Sequence, residues 1–73
     1  MPSLPVVSGA EAIAALERLG FTEVRQRGSH VILRKGSYGC VVPNHQEIKV
    51  GTLRGILKQA GISPDEFIKA LQA

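Results

Sequence analysis

Two glycine-bearing breaks, Gly28-Ser29 and Gly36-Ser37-Tyr38-Gly39, cut a β-rich stretch running from Phe21 to Pro43, and they restrict the fold more than any other feature. Gly28-Ser29 is too short to connect anything except two strands of a hairpin. The second break carries the same turn chemistry. Between them His30 to Lys35 holds the run Val31-Ile32-Leu33, and after them comes Cys40-Val41-Val42, with Pro43 ending that strand or marking it as an edge. Ahead of them Phe21 to Arg27 places Phe and Val among polar residues, which suits a half-buried strand. Successive short turns demand an antiparallel meander of three strands.

Helix signals flank the meander. Ser8 with Glu11 three positions on is a capping box, and Ala12, Ile13, Leu16 and Leu19 fall on one face of a helix over Gly9 to Leu19, stopped by Gly20. Asn44 to Val50 reads as a polar loop. Thr52 or a neighbour then caps a helix with an apolar stripe at Leu53, Ile56, Leu57 and Ala60, closed by Gly61. Ser63-Pro64-Asp65-Glu66 opens a last short helix carrying Phe67, Ile68 and Leu71. Met1 to Val7, with Pro2 and Pro5, reads as an extended lead-in. The expected class is α+β, in the order α-β-β-β-α plus a short C-terminal helix, with two helices on one face of a three-stranded antiparallel sheet. This is the order of the double-stranded-RNA-binding fold, although order alone assigns no function.

A chain of 73 residues makes one expected domain, 1–73, with a thin stability margin. Its one cysteine, Cys40, has no internal partner, which fits a reducing compartment. Neither a signal peptide nor an apolar run long enough for a membrane span is visible, so a cytoplasmic protein with no membrane contact is expected. The net charge is +3, and from Arg18 to Lys58 eight basic side chains face only Glu23 and Glu47. A basic centre of this kind suits a polyanion such as nucleic acid, or is simply a solvated surface.

The chemistry concentrates in Arg25-Gln26-Arg27-Gly28-Ser29-His30. Gly28 permits a tight turn and leaves room for a ligand. Ser29 offers a hydroxyl, and His30 sits where the chain re-enters the sheet, with Arg34 and Lys35 further on. An imidazole is the side chain poised for proton transfer near neutrality. RNA carries its own nucleophile, the 2′-hydroxyl, so cleavage needs a base and nearby cations but no metal. Equally, His30 can end a turn and bond to the backbone, and residue chemistry alone leaves both readings open.

Other groups carry the same ambiguity. His45, in Pro43-Asn44-His45, can join an acid–base pair or cap a loop. Cys40 reads as a small hydrophobe unless something lowers its pKa. A zinc site from His30, Cys40 and His45 lacks the paired-ligand spacing. Arg54 and Lys58, four apart, share an outward helix face with Lys49 nearby, and Gly51-Thr52 can offer backbone donors to a phosphate. Such groups suit A-form RNA, or a plain solvated helix face.

Leu19-Gly20-Phe21, Gly28-Ser29-His30, Val42-Pro43-Asn44-His45, Lys49-Val50-Gly51-Thr52-Leu53 and Ile56-Leu57-Lys58-Gln59-Ala60-Gly61, in this order and spacing, resemble the HicA toxin family. The resemblance runs from about Ser8 to Leu71. It implies a double-stranded-RNA-binding-like fold, ribosome-independent cleavage of mRNA and a HicB-type antitoxin as partner. It places the catalytic histidine at His30 and the glycine before the Ser-His pair at Gly28. The expected RNA-binding set is Arg27, Gly28, Ser29, Arg34, Lys35, Lys49, Thr52, Arg54 and Lys58, with His45 auxiliary and neither metal nor cofactor. Two alternatives stand beside this reading: a non-catalytic RNA-binding module of the same fold, and an interaction protein whose basic face docks an acidic partner.

Overall fold

Both hairpins form, and the same device makes them. Gly28 and Gly36 have φ of 58° and 60°, and no residue other than glycine has positive φ among those described. A positive-φ glycine followed by a serine is the pattern of a type II′ turn, whose twist matches that of the strands it joins. The computed structural model describes residues 3–73; the Met1 and Pro2 part of the expected lead-in lies outside the described residues. The elements are α1 (Gly9–Arg18), β1 (Thr22–Arg27), β2 (His30–Lys35), β3 (Tyr38–Pro43), α2 (Val50–Ala60) and α3 (Pro64–Leu71). The strands form one antiparallel sheet in the order β1-β2-β3. The α+β class and the element order are as expected.

Alternation in β2 sets the two faces of the sheet. Val31 and Leu33 are buried, while His30, Ile32 and Arg34 take the opposite face. In β3, Cys40 and Val42 are buried opposite Leu33 and Val31. The helices close this side. α2 packs along β3, and α1 packs against α3 and β3. Leu16, Leu53, Leu57 and Phe67 complete the centre of the core.

Four local expectations need correction. β1 is not half-buried: all six of its residues are exposed, and the buried Phe21 lies just before it. A bulge between Glu23 and Arg25 interrupts its alternation, and the helices pack on β3, at the opposite edge of the sheet, leaving both faces of β1 uncovered. β3 begins at Tyr38 rather than Cys40, because the second turn needs only Gly36 and Ser37. Lys49, not Thr52, is the N-cap of α2, and it makes no side-chain cap bond; Thr52 already lies in the first helical turn. The loop before α2 is not wholly polar. Ile48 is fully buried, and its N–H donates to the Val7 carbonyl at 2.7 Å in an isolated bridge. That bridge, with Leu4 and Val7 buried, makes those two residues of the lead-in part of the core.

Candidate functional site

Register fixes which side chains share the uncovered face. Arg27 pairs with His30 and His30 with Pro43; Arg25 pairs with Ile32 and Ile32 with Val41; Thr22 pairs with Arg34 and Arg34 with Gly39. Paired residues in adjacent strands lie about 4.5–5.5 Å apart and share a face. The face therefore carries three arginines and a histidine in three cross-strand rows. None of those row positions is acidic. The bulge brings Arg25 into this set; no sequence pattern marks the extra residue, Val24.

The first turn is braced from behind. The Asn44 N–H donates to the Ser29 carbonyl at 2.7 Å, and Ser29 Oγ lies 3.1 Å from His45 Nε2. His45 is held in turn at its carbonyl, which accepts from the Gly9 N–H at 2.8 Å. A Cβ on Gly9 would stand 2.5 Å from Asn44 Cα, so the start of α1 is seated directly on this loop. His30, His45, Ser29 and Arg27 thus meet at one end of the sheet. His30 and His45 are both exposed, so their rings are open to a ligand.

Other expected residues lie elsewhere. Arg34 is on the same face as His30 but four positions along β2, about 13 Å away. Lys35 is on the helix side at the far end, where its Nζ donates to the Leu19 carbonyl at 2.7 Å and so caps α1. Lys49, Thr52, Arg54 and Lys58 are exposed on the outer surface of the helix layer, because Leu53, Ile56, Leu57 and Ala60 take the inner face of α2.

Cys40 opposes Leu33 on the helix side and cannot join His30, which pairs with Pro43 on the open face. Burial pushes its thiol up to about 11, so it stays protonated near neutrality and unsuited to nucleophilic attack. Among the described residues no group of three His, Cys, Asp or Glu side chains comes together. Likewise, no helix is long and apolar enough to cross a membrane.

These features define a class: a small basic α+β protein, sealed by helices on one face of its sheet and presenting histidine and arginine on the other. Residues 9–62 of the 73 match the family model described as the HicA toxin of bacterial toxin–antitoxin systems. The chain belongs to the HicA toxin family. It is the toxin half of a toxin–antitoxin pair, and membership implies an antitoxin partner. The matched segment runs from the start of α1 to just beyond α2, leaving out the lead-in and α3. No curated protein matches the chain.

Proposed function

We propose that this toxin is a metal-independent endoribonuclease that cleaves mRNA in the cytoplasm, with His30 as general base, and that a HicB-type antitoxin silences it by covering the His30 end. One observation carries the reading: His30 is exposed at the first position of β2, directly across the turn from Arg27. An imidazole there can take the 2′-hydroxyl proton as the ribose oxygen attacks phosphorus. The O2′–P bond forms, the P–O5′ bond breaks, and the guanidinium of Arg27 offsets charge on the phosphoryl oxygens. The leaving O5′ needs a proton. In this reading His45, hydrogen-bonded to Ser29 beside His30, supplies it. No step calls for a metal, because the substrate brings its own nucleophile.

Induced expression of wild type and His30→Ala, with transcript ends mapped in both, tests the reading. The wild type produces new 5′ ends and growth arrest, and His30→Ala produces neither while keeping its thermal transition. Retained toxicity in His30→Ala rejects His30 as the base. Loss of wild-type cleavage in the presence of a chelator reopens a metal-dependent mechanism. Binding of RNA by the wild type with no scission replaces the enzyme with a non-catalytic RNA-binding module.

A further inference from the structure

The open sheet face holds more than His30. In its middle row Ile32 is half-buried and Val41 is 40% exposed, giving an apolar step between two rows of cations. Gly39 leaves a gap beyond that step, and Arg34 lies across it. Arg34 Cγ and Nη1 stand 3.7 and 3.9 Å from the position a Cβ on Gly39 would take. The result is a shallow depression of about 470 Å³ at the β3 edge, with Ile32, Arg34, Gly39 and Val41 on its open-face side and a guanidinium along that side, reaching round the edge to Tyr38 and to Gln59 of α2.

An apolar floor beside a guanidinium plane is what an unstacked nucleobase needs, because bases stack on arginine as they do on aromatic rings. A duplex keeps its bases stacked inside and shows a surface only phosphates and groove edges. On β1 the cations Arg25 and Arg27 lie beside this step and lead toward His30. Resting on the reading that His30 acts on RNA, we propose that the open face of the sheet is a track for single-stranded RNA. One base enters the depression between Ile32, Arg34, Gly39 and Val41, and the ribose–phosphate chain passes Arg25 and Arg27 to reach His30. The substrate class is therefore unpaired RNA, and the exposed cations of α2 are not its primary docking surface.

The test uses the full chain carrying His30→Ala, so that binding is read without cutting. A short unstructured oligoribonucleotide is compared with the same strand annealed to its complement, by fluorescence anisotropy over a range of salt. The single strand binds at least about tenfold more tightly. Adding Arg25→Ser lowers the slope of log K against log salt by about 0.7, the decrement expected when one fewer phosphate of a single strand is neutralised, whereas Arg34→Ser weakens binding through lost stacking with a smaller change in slope. Gly39→Val fills the depression with a residue strands accommodate and weakens single-strand binding, while Arg54→Ser with Lys58→Ser leaves it unchanged. A duplex bound as tightly as the single strand overturns the proposal. So does binding that disappears in the α2 variant but persists in Arg34→Ser and Gly39→Val, with native circular dichroism in all of them. Cleavage by the otherwise unmodified chain separates the two readings. A chain that cuts RNA yet prefers duplex loses only the track, whereas single-strand binding without cleavage loses only the catalytic role of His30.

Discussion

The two hairpin turns share their residues and their backbone, yet the side chains that flank them are engaged very differently. Each is a Gly-Ser step with φ near 60° at the glycine. At the first, Ser29 is tied to Asn44 and His45, and the flanking Arg27 and His30 are left exposed. At the second, the flanking cation Lys35 is engaged by the Leu19 carbonyl, and the favourable charge interaction between Lys35 and Glu66 offsets it further. The ring of the other flanking residue, Tyr38, lies against Gly61, close enough that a Cβ there would meet it at 2.7 Å. The turn chemistry is the same at both ends; what differs is what each flanking side chain is already bonded to.

The largest expected difference between the ends is catalytic. His30→Ala lowers RNA cleavage by about 10²–10⁴-fold, the range for one general base, or roughly 3–5 kcal/mol of barrier. Its melting temperature stays close to that of the wild type, because His30 is exposed. Lys35→Met inverts the pattern. Cleavage remains within about twofold, but the C-terminus of α1 loses a charged cap at a cost of roughly 0.3–1 kcal/mol. Single-turnover cleavage and thermal denaturation of both variants check this. A fall in cleavage with Lys35→Met as large as that of His30→Ala would erase the distinction between the ends.

The next effect is mechanical. Gly9→Ala forces a Cβ against Asn44 Cα and the Pro43 carbonyl, 2.5 and 2.6 Å away. The loop holding His45 must move or the helix must lift, a destabilisation of about 1–3 kcal/mol typical of overpacking. Hydrogen exchange rises at Gly9 and Asn44 and stays unchanged at Gly61. Smaller again is the matched pair Gly28→Ala and Gly36→Ala. Neither added Cβ meets a neighbour within 4 Å, so both carry only the strain of positive φ, about 1–2 kcal/mol. Denaturant titration gives them equal losses, and only Gly28→Ala also slows cleavage.

Much of this was legible in the sequence because it is written in local patterns. The turns, the two capping boxes, the α2 stripe and the bounds of β2 all follow from residue spacing. Whether His30 is exposed to a ligand could not be read from the sequence, since exposure depends on where the helices land. Lys35 and Arg34 look alike as neighbours in the chain. Strand alternation sends them to opposite faces, and only the packed helix shows that the Leu19 carbonyl lies within reach of Lys35. The bulge that brings Arg25 to the open face has no signature at Val24. Leu4 and Val7 sit in the short proline-bearing run Leu4-Pro5-Val6-Val7 and Ile48 stands alone between Glu47 and Lys49, so periodicity is silent about their burial.

The smallest effect separates the two ends by pH. Each end of the sheet is served by a helix opening on a capping box: Ser8 with Glu11 in α1 at the His30 end, Ser63 with Glu66 in α3 near Lys35. Backbone and hydroxyl hydrogen bonds from the serine hold both carboxyl groups below their ordinary value of 4.5, and Lys35 adds to the effect at Glu66. A carboxyl lowered in the folded state contributes stability that is present above its unfolded pKa and is lost as pH falls through the lowered folded value. Glu11→Gln and Glu66→Gln therefore each flatten the acid limb of the stability–pH curve below about pH 4.5. Above it they leave a small, constant loss. Salt separates them: added salt screens the Lys35 contribution and shrinks the Glu66→Gln effect, while the Glu11→Gln effect, which has no ionic partner, is nearly insensitive. Amide exchange in acid locates each loss, at Gly9 and the His45 loop for Glu11→Gln and at Phe67 for Glu66→Gln. Exchange spreading equally to both ends in either variant would mean that the ends unfold as one unit. The braced first turn would then owe its order to the whole core rather than to the seat of α1 on Asn44.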